Sequence, residues 1–301
     1  MSNQAAGLLK HYLEQRVLAG QTHVVLKPGL LDQMQGRKKP AAQPLPQARP
    51  AAKPESKVER ASTPIAATFD RPATRKASIM ESPALITVSG NSKAEKLAAL
   101  AAIAEQSPQA RELGTLRETM VFSVGDPEAQ IMFIGEAPGD EEELQREPFV
   151  GPAGQKLTGI LTAMGLKRSD VYLSSICKFR PAINGDQGST NRAPTDAEMA
   201  ACVSYVLTEI AIVAPKIIIA LGASVCKGLG IGEGVMRLRG KFYDVQGIPT
   251  MVTYHPSYIL REERLADGGL RAKREVWEDM LKVMEKNGMT ISEKQRGYFK
   301  K

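Results

Sequence analysis

The sequence predicts an α/β fold: a three-layer α/β/α domain around a central, mostly parallel sheet, preceded by a disordered basic N-terminal tail. Two observations predict it. Short apolar runs alternate with capped helical segments over the last two hundred residues, which implies a sheet covered on both faces. Before them lies a proline-rich cationic stretch that cannot bury enough apolar surface to fold alone. The boundaries expected are a docking segment over 1–35, a linker over 36–90, the catalytic-type domain over 91–290 and a C-terminal tail over 291–301.

Residues Ser2 to Ala19 read as a helix, with Leu9, Leu13 and Val17 four apart and Gly20 as C-cap. A helix of that length is marginal alone, so it reads either as a segment that docks on a replication or repair partner or as a helix that packs back on the main domain. The whole chain carries +7, and residues 36–80 alone hold ten basic and three acidic side chains, a net +7. The same stretch has seven prolines. It reads either as a tether drawn to nucleic acid by salt-sensitive attraction or as a solubilising spacer.

The domain itself opens with a helix near Lys93 to Gln106, where Ser92 and Glu95 form a capping box. Gln130 to Ile134 is a buried strand ending in the turn Gly135-Glu136-Ala137-Pro138-Gly139. A helix runs from Ala153 to Met164, a strand from Val171 to Cys177, and a Thr195-capped helix to Val213. Lys216 to Leu221 is a third buried strand, with a short helix near Ala223. Lys241 to Val245 and Thr250 to Tyr254 are further strands, and Arg271 to Glu285 is the last helix. In such sheets ligands bind at the carboxyl ends of strands. That rule selects the turn after Ile134, the segment Ser175 to Arg180, and the residues after Tyr254.

No run of eighteen apolar residues is present, so no membrane span is expected. The three cysteines, Cys177, Cys202 and Cys226, form no C-x-x-C pair and suit a reducing compartment. A soluble, cytoplasmic, nucleoid-associated monomer is expected.

The chain has GEAPG at 135–139, DEEE at 140–143, PFVG at 148–151, Ala153-Gly154, and His255-Pro256-Ser257. In order and spacing these motifs resemble family 4 of the uracil-DNA glycosylases, over about Glu112 to Lys286. The resemblance implies a uracil-DNA glycosylase-like fold and an enzyme that hydrolyses the N-glycosidic bond of uracil, or another deaminated base, in DNA. Such chemistry needs donors aimed at the departing base and a carboxylate near the sugar or water. By position, Glu142 matches the acidic residue near sugar and water. Gly135, Glu136 and Ala137 match the base-binding turn, with Glu136 a second candidate carboxylate. Phe149 matches the aromatic that stacks on a flipped base. His255 matches the donor to the base oxygen. The loop from Ser257 to Leu265, with Tyr258, Arg261 and Arg264, matches the segment inserted into the duplex.

Two departures from the family stand out. Its iron–sulfur cluster uses four cysteines, and the matching positions here hold Pro108, Arg111, Phe179 and Cys202, so no cofactor is expected. The asparagine that reads the pyrimidine is replaced by Ser175, which weakens the expectation of uracil specificity and admits hypoxanthine. These departures keep open a second reading, a non-enzymatic DNA-binding accessory protein on a glycosylase fold.

Overall fold

The computed structural model describes residues 84–183, 187–265 and 267–299. The expected N-terminal helix and most of the cationic linker lie outside them. The linker's last residues do not stand apart from the domain. The backbone N–H of Ile86 donates to Thr208 Oγ1 at 2.9 Å, and Ile86 and Val88 pack on the core.

In chain order the elements are α1 (Lys93–Glu105), α2 (Pro108–Glu112), β1 (Leu116–Met120), β2 (Val124–Gly125), β3 (Ile131–Gly135), α3 (Asp140–Gln145), α4 (Pro152–Met164), β4 (Tyr172–Ser175) and β5 (Phe179–Pro181). They continue with α5 (Asp196–Val213), β6 (Ile217–Leu221), α6 (Ala223–Gly228), α7 (Val235–Leu238), β7 (Phe242–Val245), β8 (Ile248–Thr253), α8 (Pro256–Glu262), α9 (Leu270–Lys286) and α10 (Glu293–Gly297). Six strands form one sheet in the order β2-β4-β3-β6-β8-β7. The four central strands are parallel, and the edges β2 and β7 are antiparallel. β1 and β5 pair separately as a two-stranded ribbon.

The central strands are apolar throughout because both of their faces are buried. On β3, Met132 and Ile134 join one core with α1 and α5, while Ile131 and Phe133 join the opposite core with α4 and α9. β6 divides the same way, with Ile218 and Ala220 on one side and Ile217, Ile219 and Leu221 on the other. The three layers expected from the alternation of strands and helices are present.

A buried polar group interrupts the apolar core beside β4. Lys178 and Glu209 are each 0 % exposed and pair at 2.6 Å. Ser174 Oγ lies 2.7 Å from both Lys178 Nζ and Glu209 Oε2, and it donates to the carboxylate. Tyr172 also donates to Glu209, at 3.3 Å. A buried ion pair survives desolvation only with such added partners.

The expected C-terminal tail carries α10. Trp277 Nε1–H donates to the Gln295 carbonyl at 2.8 Å, and Gln295 Nε2–H to that of Ala163 at 2.9 Å. These bonds fasten α10 to α9 and α4.

Candidate active site

The three segments selected at the strand ends converge on one cavity of about 500 Å³. Its lining includes Glu136, Ala137, Glu142, Phe149, Ser175 and His255. A larger apolar groove of about 610 Å³ lies elsewhere, lined from α4, α8 and α9, and contains none of Glu136, Glu142, Phe149, Ser175 and His255. Chemistry rather than size therefore locates the site.

Sheet register builds its floor. Gly135 on β3 sits opposite Ser175 on β4, both at the ends of their strands. Ser175 is 6 % exposed. The chain beyond stays paired: Ile176 N–H donates to the Gly135 carbonyl at 2.9 Å and Cys177 N–H to that of Glu136 at 3.0 Å. Gly135 must lack a side chain, because a Cβ there would stand 2.4 Å from Phe149 Cζ. Gly154 is needed for the same reason, since its Cβ would fall 1.9 Å from the Phe149 carbonyl oxygen. The Phe149 ring thus lies on the turn, 7 % exposed, with its centroid 6.2 Å from that of His255 and the planes 30° apart.

Glu142 is held differently from a free carboxylate. Oε2 accepts from Gly139 N–H at 3.1 Å, and Oε1 accepts from Val150 N–H at 3.0 Å and Gly151 N–H at 2.8 Å. It clamps the 135–139 turn to the 148–151 segment. Glu136 accepts from Ser224 Oγ–H at 2.9 Å. Burial pushes the Glu136 carboxyl above the usual carboxylate range, and the serine partly opposes this.

His255 follows β8 and is the N-cap of α8. Its Nδ1 accepts from the Ser257 backbone N–H at 3.2 Å and lies 2.8 Å from Ser257 Oγ. A neutral imidazole with an accepting Nδ1 carries its proton on Nε2. The ring is half-buried, and desolvation lowers its pKa to about 4. At neutral pH it is an uncharged donor.

The segment after His255, expected as a loop, begins as helix α8. Ser257, Tyr258 and Arg261 lie on it, and Arg264 follows in the turn after its end. Tyr258 stacks on Tyr254 at 4.4 Å, and the Arg261 guanidinium lies 5.0 Å from the Tyr258 ring centroid. Ser257, Arg261 and Arg264 are exposed, and Ser257 and Arg261 line the cavity.

Sequence reasoning passed over Asn191, which also lines the cavity. Arg180 fixes it. This guanidinium, 2 % exposed, donates to Asn191 Oδ1 at 2.9 Å, Asp140 Oδ1 at 2.8 Å, Glu143 Oε2 at 3.0 Å, and the Gly188 and Thr190 carbonyls at 2.7 and 3.0 Å. With Oδ1 engaged, the Asn191 amide is left with its Nδ2 donors. The Asn191-Arg192-Ala193-Pro194 sequence was the available signal, but nothing in it states that Arg180 draws the asparagine inward.

The four positions that match cluster ligands hold Pro108 and Arg111 on α2, Phe179 on β5 and Cys202 on α5. Phe179 is buried in the core, and the Arg111 guanidinium donates to the Glu105 carbonyl at 2.8 Å. Cys177 and Cys202 are buried free thiols. One cysteine at the four matching positions, with Cys177 nearby in sequence, does not fit a four-thiolate cluster. Among the described residues no group of three or more His, Cys, Asp or Glu could hold a metal ion.

Residues 122–281 match the family model described as the uracil DNA glycosylase superfamily. A Type-4 uracil-DNA glycosylase of Thermotoga maritima is 38% identical over 148 residues, covering 48% of this chain and 73% of the relative. One from Archaeoglobus fulgidus is 34% identical over 165 residues, covering 52% and 79%. One from Saccharolobus solfataricus is 37% identical over 159 residues, covering 50% and 70%.

Proposed function

Because the chain belongs to the uracil DNA glycosylase superfamily, we propose that it is a monofunctional uracil-DNA glycosylase that opens base excision repair by hydrolysing the N-glycosidic bond of uracil in DNA. One observation carries the reading: a neutral histidine, with its proton on Nε2, lines the same cavity as an aromatic ring laid on a glycine turn.

The reaction breaks the bond between C1′ and the base nitrogen. The pair of electrons leaves with the base, and C1′ becomes cationic in character before water adds. His255 Nε2–H donates to the base oxygen as negative charge gathers there, a contact that strengthens toward the transition state. Phe149 stacks on the flipped base and offsets part of the cost of flipping. The backbone from Gly135 to Ala137 contacts the base edge. Glu142, fixed by three amides, supplies negative charge facing the sugar rather than a mobile base, and Asn191 offers its Nδ2 donors from beside Gly139. Glu136 is the second carboxyl of the cavity, and its burial favours a role in holding the base over one as a permanent anion. Water addition yields an abasic site and free base, and no lysine nucleophile takes part.

Ser175 makes one hydrogen bond where an amide makes two. We infer a broader range of deaminated bases, hypoxanthine included. The donor set at Pro108, Arg111, Phe179 and Cys202 supports catalysis and folding without an iron–sulfur cluster. The charge of residues 36–80 supports their use as a DNA tether, and the apolar stripe of residues 8–17 supports docking on a repair or replication protein. Ser257, Tyr258, Arg261 and Arg264 form the surface proposed to enter the duplex.

Oligonucleotides carrying uracil, hypoxanthine or xanthine, single- and double-stranded, test the activity. Alkali-sensitive abasic sites are expected with uracil and are expected to vanish with His255→Ala. Absence of abasic sites with every substrate at excess protein ends the enzyme reading. Bound iron with the visible absorbance of a thiolate cluster ends the cluster-free reading. Deleting residues 1–80 is expected to flatten the salt dependence of DNA binding, and an unchanged slope makes them a spacer.

A further inference from the structure

Phe149 lines the cavity with its backbone in the left-handed region, at φ 58°. A bulky residue keeps that conformation only where its surroundings enforce it. The enforcing group lies outside the cavity. Arg168, in the single turn Arg168–Asp170 before β4, donates from Nη1 to the Phe149 carbonyl at 2.8 Å. Its Nη2 donates to the Pro148 carbonyl at 2.9 Å and to Glu147 Oε1 at 2.7 Å.

The two carbonyl bonds use the planar fork of a guanidinium, which a lysine cannot reproduce. On the other side of the same turn, Glu142 takes the amides of Val150 and Gly151. The backbone around Phe149 is therefore gripped from its carbonyl side by Arg168 and from its amide side by Glu142. Gly154 leaves room for the Phe149 carbonyl to point where Arg168 meets it.

We propose that Arg168 is a positioning residue of the glycosylase, which holds the left-handed turn at Phe149 so that the ring lies on Gly135 beside His255 before a base arrives. The proposal rests on the reading that Phe149 stacks on the flipped base. Its physical content is preorganisation: the ring is placed by a distant fork rather than by the ligand. Arg168 shares no wall with the cavity, so it acts through the backbone of residues 147–149.

A double-mutant cycle tests this. Phe149→Ala, Arg168→Ala and the double variant are compared on duplex DNA carrying one uracil. Single-turnover rates, half-saturating protein concentration and thermal midpoints are measured. Arg168→Ala is expected to weaken half-saturation about tenfold while the saturated rate falls far less. In the Phe149→Ala background the same change is expected to cost less than about twofold, because the ring it positions is gone. Arg168→Lys is expected to behave like Arg168→Ala. Glu147→Gln, which removes the ion pair and leaves both carbonyl bonds, is expected to stay within about twofold of wild type.

Equal costs of Arg168→Ala in both backgrounds overturn the proposal and make Arg168 a general fold contact. An unchanged half-saturation in Phe149→Ala alone overturns the stacking reading, and the proposal with it. These outcomes are distinct. If Arg168→Ala does not fold, Arg168→Gln, which retains one donor group, carries the same cycle.

Discussion

His255 gives the sharpest pH test. Its pKa lies at about 4 instead of 6.5 because burial disfavours the imidazolium. The unfolded chain takes up this proton near pH 6.5 and the folded protein only near 4. Between those values the unfolded state holds more protons, so this contribution to stability is full above pH 6.5 and is lost as pH falls toward 4. At about 1.4 kcal/mol per pH unit the gap corresponds to at most about 3.5 kcal/mol, and somewhat less for a half-buried ring. Asp279 acts in the opposite sense. Desolvation raises it to about 6, with Thr253 and Arg239 opposing, so its contribution is full below about 4 and is lost as pH rises through 6. The two are separated by comparing wild type with His255→Gln in urea melts from pH 4 to 7.5. The wild type should lose about 2–3 kcal/mol relative to the variant as pH falls across that range. Under single-turnover conditions kcat/KM should show no acid limb near 6.5, with loss only near 4. The variant should lose about a hundred- to a thousandfold, as expected for removing one donor to a developing oxyanion. A proton NMR titration of the His255 ring with a midpoint near 6.5, together with an acid limb there, would refute the neutral-donor account.

Three further outcomes follow from the packing. Glu142→Gln places an amide NH2 against backbone donors that now meet a carboxylate; a stability loss of about 1–3 kcal/mol and a fall in kcat are expected, and chemical denaturation with wild-type rates would contradict the clamp. Lys178→Met should cost about 3–5 kcal/mol by leaving Glu209 buried and unpaired, whereas Lys178→Met with Glu209→Leu should recover most of it; thermal melts decide. Ser175→Asn should improve discrimination for uracil over hypoxanthine by about 1–3 kcal/mol, and an unchanged ratio of kcat/KM values would dissociate residue 175 from base reading.

The strands and long helices were legible because their signals are local. Ile131–Gly135 and Ile217–Leu221 are unbroken apolar runs, and Thr195 with Glu198 announces the start of α5. β1 was not legible: Leu116–Met120 is half-exposed and charged, and it becomes a strand only by meeting β5. The acidic run at 140–143 forms the first turn of α3, and nothing local in it tells that Glu143 is buried against Arg180. The site motifs named segments that meet in one cavity, but not their geometry. The grip on Glu142 comes from backbone amides eight and nine residues away, which have no side-chain signature. The tautomer of His255 depends on the Ser257 amide, which points at Nδ1 only once α8 has formed.

The order of strands in the sheet has a consequence for how such a protein changes over generations. Residue 175 stands at the end of β4, whereas His255 follows β8, with β3 and β6 between them. On the roles proposed above, choice of base and departure of base therefore fall to separate strands. A single exchange at residue 175 on β4 can then alter which lesion is read while the donor after β8 stays untouched.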